Sequence, residues 1–156
     1  MLIQPRLMRD DEREATLELV MRAFDEAVRP GYTDEGAEEF ARSARSFLLE
    51  SLANHVTHVA EASGQIVGMV DMRDGSHICL FFVDSSRRAQ GVGRALLDAA
   101  IASACATTPG LRAITVNAAP SAVAAYQRLG FVAVESEQER HGIRYVPMSK
   151  PLEAST

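Results

Sequence analysis

Cysteine and lysine are scarce in this 156-residue chain, which has two cysteines and a single lysine, Lys150. Cys79 lies in an apolar strand and Cys105 in the helix after the glycine loop, and we interpret both as small buried residues. Neither a disulfide framework nor a zinc site is suggested, so we predict no metal. The lone lysine argues against a P-loop, because that phosphate-binding loop needs the sequence Gly-Lys-Ser/Thr.

Long apolar runs are missing as well. No window approaches the roughly 20 residues that span a membrane, and the first residues, MLIQPRLMRDDERE, hold no apolar stretch of signal-peptide length. We therefore expect a cytoplasmic protein that does not bind membranes. The formal net charge of −5 disfavours a nucleic-acid partner, since the neutralisation of phosphates needs a basic surface.

Acidic residues are concentrated near the start of the chain, where 12 of the 21 lie within the first 50 positions. Two solvated helix faces would explain them. A negative field that attracts a cationic amine to a nearby site is the alternative explanation.

The length and the 47% of apolar residues fit one domain, which we place at residues 1–156. Strands are predicted at 3–8, 57–62, 66–73, 77–83 and 113–116, followed by two closing strands. Helices are predicted after Asp10 or Asp11, after Thr33, from Gly91 to about Thr107, and over 121–129. Short turns between the three middle strands predict an antiparallel meander, and the whole pattern a mixed sheet covered by helices.

The stretch 83–97, VDSSRRAQGVGRALL, links an apolar strand to an amphipathic helix through an arginine-containing turn with two glycines. Gly91 to Gly93 are predicted to open the helix, where unpaired N–H groups and the positive end of the helix dipole attract anions. Glycine lets a pyrophosphate approach the backbone because no Cβ intervenes. A Rossmann fingerprint is disfavoured, since Leu96 stands at the place of its third glycine.

Arg88 to Gly93, RAQGVG, resembles the R/Q-x-x-G-x-G/A signature of the GCN5-related N-acetyltransferases, or GNATs. The resemblance continues in the same order with IVGMVDM at 66–72, NAAPSAVAAYQRLGF at 117–131 and VPMSK at 146–150. It covers nearly the whole chain. The resemblance implies an α/β (α+β) fold of the order β-α-α-β-β-β-α-β-α-β-β, with a mixed, mostly antiparallel sheet that splays beside the strand 77–83 and leaves a cleft.

The resemblance also implies acetyl-CoA (coenzyme A) as the co-substrate. Its pyrophosphate would contact Arg88 and the backbone N–H groups of Ala89, Gln90, Gly91, Val92, Gly93 and Arg94. The main chain of Phe81, Phe82 and Val83 would pair with the pantetheine arm and help to polarise the thioester carbonyl. Because strand alternation puts Phe81 and Phe82 on opposite faces, we expect at most one of them to line the acyl pocket.

Tyr126 stands where the family's second motif carries its general acid. A phenol with a pKa near 10 is suited to protonating a departing thiolate, whereas the alternative is a tyrosine packed between helix and sheet. Many members have an asparagine seven residues earlier, and here that position is Ala119. Asn117 is the candidate substitute for its contact to the cofactor.

The general base is assigned by position. His77 falls where the histone acetyltransferases of this family carry a glutamate base, and a pKa near 6.5 suits the role. An ordinary exposed residue after the turn at 74–76 is the alternative for His77, and Asp71 with a water chain is the rival base. His55 and His58, which precede a predicted strand, are interpreted as structural.

The implied reaction is direct transfer of an acetyl group to a primary amine, without a cysteine nucleophile. The amine belongs to a small molecule or a protein, and nothing in the first two helices or the loop 29–33 identifies it. A non-catalytic acyl-CoA sensor or complex subunit, or an enzyme with a longer acyl donor, are the alternatives. The closing strands around 132–146 could pair two copies into a homodimer.

Overall fold

The computed structural model describes residues 3–153, so the predicted domain limits at positions 1 and 156 lie outside the described residues. The helices are α1 (Arg13–Ala27), α2 (Asp34–Leu49), α3 (Val92–Thr107) and α4 (Val123–Arg128). The strands are β1 (Arg6–Leu7), β2 (His55–Ala62), β3 (Gln65–Arg73), β4 (His77–Val83), β5 (Ala113–Ala118), β6 (Val132–Ala133), β7 (Gln138–Arg140) and β8 (Ile143–Pro151). Across this range, every helix is too short or too polar to cross a bilayer.

The strands form one sheet in the order β1-β2-β3-β4-β5-β8-β6, with β7 paired to β8. Each pairing is antiparallel except that of β4 with β5. The predicted mixed, mostly antiparallel sheet and its meander β2-β3-β4 are therefore confirmed. The closing region holds three strands rather than the predicted two. β6 pairs with β8 at only two positions, and β7 forms a hairpin with β8 as an additional short strand.

The parallel pairing of β4 with β5 is short. The two strands pair at His77 with Thr115 and at Ile78 with Val116, although β4 continues to Val83. On its other side, β5 pairs with β8 over six positions. The sheet is thus continuous at the start of β4 and open at its end, which is the splay that the family resemblance implies.

Two hydrophobic cores lie on opposite faces of the sheet. On one face, α3 packs Leu96 into a cluster that includes Phe131. On the other face, α1 and α2 bury Val20 and Leu48. Complete burial of such a side chain contributes roughly 1.5–3 kcal/mol to folding, so the sheet stays fixed between its helices while its open end remains free for a site.

The start of α1 differs from the prediction. Asp10 and Asp11 lie in a short 3₁₀ turn and do not cap the helix, which begins at Arg13. Glu12 stabilises this turn, because its carboxylate accepts a hydrogen bond from the Arg9 N–H at 2.8 Å. A side-chain carboxylate that accepts a hydrogen bond from the backbone N–H three residues before it forms one half of a capping box.

Other local predictions have mixed outcomes. Thr33 caps α2 as predicted, since its Oγ1 accepts a hydrogen bond from the Gly36 N–H at 3.0 Å. The first strand covers only two residues rather than 3–8. Cys79 is half-buried, but Cys105 is exposed, so the prediction that it is buried is wrong. The cause is that α3 buries only one face, where Ala104 rather than Cys105 contacts the core.

Candidate active site

A cavity of about 710 Å³ occupies the open end of the sheet. Its lining comprises Ala27, Val28, Tyr32 and Phe40 from the α1–α2 region; Cys79, Leu80, Phe81, Phe82 and Val83 from β4; Arg87, Arg88, Ala89, Gly91, Val92 and Gly93 around the start of α3; and Val116, Asn117, Ala119, Ser121, Ala122, Ala124, Ala125, Tyr126, Arg128 and Leu129 from β5 and α4. We call it the central cavity.

The central cavity reaches both faces of the sheet. Phe81 packs with the α3 core and Phe82 with the α1–α2 core, as strand alternation predicts. Both nevertheless line the cavity. The gap between β4 and β5 thus lets the cavity pass through the sheet, and the expectation that at most one of the two rings lines the acyl pocket stays a prediction.

The loop before α3 exposes a row of backbone N–H groups. It bends through two residues with left-handed backbone, Ala89 (φ +63°) and Gly91 (φ +80°). Gly91 is the N-cap, without a side-chain cap, and the first helical bond runs from the Ala95 N–H to the Gly91 carbonyl at 3.0 Å. The N–H groups from Gly91 to Arg94 have no acceptor within the helix and, with the helix dipole, favour an anion.

Most of the predicted cofactor-binding residues meet at the central cavity. From the loop, these are Arg88, Ala89, Gly91, Val92 and Gly93; from the strands, Phe81, Phe82, Val83 and Asn117. Gln90 is exposed and lies outside the lining. Arg94 also lies outside it, where its Nη2 donates to the Arg128 carbonyl at 3.1 Å and thereby links α3 to the end of α4.

One end of the central cavity is positively charged. Arg87, Arg88 and Arg128 line it, and the lining drawn from residues 3–153 includes no aspartate or glutamate. Asp84 holds the turn that carries Arg87, because its Oδ1 accepts a hydrogen bond from the Ser86 N–H at 3.0 Å, which lowers the pKa of this carboxyl. Sequence reasoning missed this role of Asp84, although an aspartate that precedes serines at the end of a strand is typical of a turn in which the carboxylate accepts a hydrogen bond from the backbone N–H two residues later.

Tyr126 lines the central cavity from α4. Its ring packs edge-on against Phe81 and Phe131, with centroid distances of 6.0 and 5.3 Å. Burial raises the pKa of the phenol, which therefore stays protonated at neutral pH. Lys150 fixes the chain just after α4, since its Nζ donates to the Leu129 carbonyl at 2.8 Å. No local signal in the sequence points to this contact.

An aromatic wall, made of Tyr32, Phe40 and Phe82, forms another part of the lining. The Phe40 ring lies 5.9 Å from that of Phe82 and 6.4 Å from that of Tyr32, edge-on in both pairs. The three residues come from the loop after α1, from α2 and from β4. Sequence reasoning missed the wall, because helical spacing places Phe40 inward but cannot show what it faces.

The comparison with protein families decides the identity of the domain. The model of the acetyltransferase (GNAT) domain matches residues 28–152. The chain belongs to the GNAT family. This confirms the resemblance carried by the glycine loop and by the motif around Tyr126.

Several solved structures match the chain over nearly its full length. A GCN5-related N-acetyltransferase from Rhodopseudomonas palustris shares 22% identity with a TM-score of 0.80, covering 97% of this chain and 99% of that one. YjaB from Escherichia coli, in its apo form, shares 28% with a TM-score of 0.71, covering 99% and 100%. The PaiA N-acetyltransferase from Thermoplasma acidophilum, in complex with coenzyme A, shares 15% with a TM-score of 0.75, covering 97% and 100%. No curated protein matches.

His77 does not reach the central cavity of this GNAT domain. It lies at the paired end of β4, opposite the gap, and its Nδ1 is 2.8 Å from Thr115 Oγ1. Its side chain is outside the lining. Burial lowers the pKa of the imidazole, so His77 is neutral at pH 7. The geometry gives it a contact between two strands, and we assign it no step in catalysis.

Asp71, the rival base, also lies outside the cavity lining. It is fully buried, and burial raises its pKa. Its Oδ2 lies 2.6 Å from His55 Nδ1, and its Oδ1 accepts a hydrogen bond from Thr57 Oγ1 at 2.8 Å. His55 and His58 both lie within β2, which begins at His55 rather than at residue 57. The His55 ring stacks on Phe47, so this network holds β2, β3 and α2 together.

Cys79 completes a cluster with His55 and Asp71, whose ligand-type atoms lie within 4.8 Å of one another. Both Asp71 oxygens already have protein partners. Burial raises the pKa of the Cys79 thiol to about 11, which keeps it in the thiol form that binds metal poorly. We interpret the cluster as structural.

Proposed function

We propose that this GNAT protein is an acetyl-CoA-dependent N-acetyltransferase that transfers the acetyl group directly to a primary amine. One observation carries the proposal: the central cavity joins the uncapped start of α3 to the Tyr126 phenol through the gap beside β4. An anion site and a protonated acid therefore face the same space. Its volume of about 710 Å³ is within the usual range for small-molecule sites.

The residues at the start of α3 fit the pyrophosphate of coenzyme A. The N–H groups from Gly91 to Arg94 would bind its oxygens, and Arg87 and Arg88 would add positive charge. Gly93 leaves the backbone bare beside Phe81, where a Cβ would lie 3.7 Å from the ring. The similar fold of PaiA in complex with coenzyme A supports this placement.

The end of β4 fits the pantetheine arm. From Cys79 to Val83 this strand continues beyond its pairing with β5 and lines the central cavity. Backbone N–H and C=O groups at an open strand edge bind an extended amide-containing chain through strand-like hydrogen bonds. An N–H there would also stabilise negative charge that develops on the thioester oxygen.

Tyr126 supplies the proton that the reaction needs. The amine nitrogen bonds to the thioester carbonyl carbon, and the C–S bond breaks with its electron pair on sulfur. Tyr126 donates its phenolic proton to this sulfur and recovers a proton from the amine nitrogen through water. The products are an N-acetyl amide and the coenzyme A thiol, so atoms and charge balance.

Cys79 supports direct transfer. It is the one cysteine in the part of the lining that the structure describes, and a thiol with a pKa of about 11 is almost wholly protonated at pH 7. A covalent acetyl-enzyme needs a thiolate nucleophile. Acetyl transfer through Cys79 is therefore disfavoured against attack by the amine itself.

Thiol release from acetyl-CoA in the presence of primary amines tests the proposal. We expect release that depends on the amine and yields an N-acetylated product detectable by mass spectrometry. Saturable acetyl-CoA binding without amine-dependent release would contradict catalysis and favour the non-catalytic sensor or complex subunit.

A further inference from the structure

The aromatic wall is rigid. Phe24, 1% exposed, lies behind it. The Phe40 ring stacks on Phe24 at 4.0 Å with an interplanar angle of 7°, and the Tyr32 ring meets Phe24 edge-on at 5.1 Å and 83°. Rings held in this way lose little conformational freedom when a ligand packs on them, which favours binding. The wall is therefore a pre-organised apolar surface facing the central cavity.

Charge is divided unevenly along the central cavity. The charged side chains of its described lining are Arg87, Arg88 and Arg128, all near the start of α3 or the end of α4. Apolar residues such as Val28 and Leu80 accompany the aromatic wall. The cationic part suits an anionic cofactor, which leaves the aromatic part for a partner that is largely apolar.

We propose that the acceptor is a primary amine carrying an aromatic ring on a short chain, an arylalkylamine, whose ring packs against Tyr32, Phe40 and Phe82. This inference rests on the proposed N-acetyltransferase function, because it names the substrate class for the same cavity. Edge-on and offset contacts between aromatic rings add to the free energy gained by burying the ring.

The same wall favours the reactive form of the amine. An ammonium group is disfavoured in apolar surroundings that offer no carboxylate. The amine therefore gives its proton to water as it enters, and its nitrogen arrives with the free lone pair that attack on the thioester requires. A cavity of this kind does not need His77 as a base.

A polyamine or an aminoglycoside suits the central cavity less well. Each brings several ammonium groups, which need carboxylates to replace their water. Among residues 3–153, the lining supplies none. Aromatic rings can also attract a permanent cation through their faces, so the experiment includes a quaternary ammonium compound.

Calorimetric titration of the protein saturated with coenzyme A tests the inference. The ligands are phenethylamine, butylamine, putrescine and choline. We expect phenethylamine to bind at least about tenfold more tightly than butylamine, because its ring buries more apolar surface, and putrescine and choline to bind more weakly than phenethylamine. Equal or tighter binding of any of the other three would overturn the inference.

Two variants of α2 locate the subsite. Phe40→Leu removes a ring from the aromatic wall, whereas the matched control Phe47→Leu removes one that stacks on His55 and lines a separate cavity of about 260 Å³. We expect Phe40→Leu to weaken phenethylamine binding at least about fivefold and butylamine binding little. Phe47→Leu should bind both amines as the wild type does.

The outcomes separate the inference from the function on which it rests. If coenzyme A does not bind the wild type, both fail. If it binds but phenethylamine has no advantage, only the arylalkylamine class fails. The affinity of Phe40→Leu for coenzyme A also shows whether this variant is folded. If the variant is not folded, Tyr32→Leu is used in its place. Unchanged phenethylamine affinity in the folded variant would overturn the subsite.

Discussion

Replacing Gly36 with alanine tests a contact between two distant parts of the chain. Gly36 lies in the first turn of α2 and packs against the β7–β8 turn, where Gly142 has a φ of +77°. A Cβ on Gly36 would overlap the Gly142 carbonyl oxygen and would lie 2.8 Å from the carbonyl carbon of the same residue. Both are backbone atoms, so rotation of a side chain cannot relieve the overlap.

The expected change in stability follows from two opposing effects. Overpacking a tight site costs about 1–3 kcal/mol, and a clash with backbone belongs near the upper end, at about 3 kcal/mol. Alanine favours a helix over glycine by up to about 1 kcal/mol. The net loss in the free energy of unfolding is about 2 kcal/mol, which for a domain of this size lowers Tm by about 4–8 °C.

Thermal and urea unfolding followed by circular dichroism measure this loss. The control is Gly31→Ala, because a Cβ there meets nothing within 4 Å. Its Tm should stay the same or rise slightly, since alanine restricts the unfolded chain. A higher Tm for Gly36→Ala, which helix propensity alone predicts, would refute the packing of the hairpin against α2.

Substitutions at three further residues test the general acid, the residue that supports it and one ion pair. Tyr126→Phe should lower kcat about a hundredfold and leave the acetyl-CoA Kd within about twofold, because only the proton donor is lost; unchanged kcat in steady-state assays would remove Tyr126 from the chemistry. Since burial raises the pKa of this phenol, the wild-type kcat should show no basic limb from Tyr126 below about pH 10. Lys150→Met removes the hydrogen bond to the Leu129 carbonyl and should lower the free energy of unfolding in urea by about 1–3 kcal/mol. The kcat of Lys150→Met should fall, and Lys150→Arg should recover part of the lost kcat. Equal kcat for both variants would contradict the positioning role of Lys150. Arg6 holds the pKa of Glu12 at about 2, below the ordinary 4.5. The extra stability is therefore complete above about pH 4.5 and lost as pH falls towards 2, so the gap in unfolding free energy between wild type and Glu12→Gln should close over that range, and a gap independent of pH would refute this.

The sequence predicts the middle of the sheet better than its edges. β4 is predicted at 77–83 and found there, because its apolar run and the flanking turns define it locally. β6 and β7 are two and three residues long and exist through their pairing with β8. Such short strands depend on tertiary contacts rather than on their own pattern.

The sequence likewise predicts some parts of the candidate site and not others. The glycine loop and Tyr126 could be predicted because each belongs to a motif that is continuous in the sequence. His77 was placed by counting along β4, which cannot show that β4 and β5 pair at that end and separate at the other. The aromatic wall joins three elements, so only the fold brings its rings together.

Acetyl-CoA binding at the start of α3 is the central claim, and calorimetric titration tests it most directly. Wild type should bind acetyl-CoA saturably and ATP not at all. Gly93→Glu adds a carboxylate to the cavity lining and should weaken acetyl-CoA binding at least about tenfold through charge repulsion. Ala102→Glu adds the same charge at an exposed position of α3 and should bind as wild type does. No saturable binding by the wild type, or equal affinity in all three proteins, would contradict the claim.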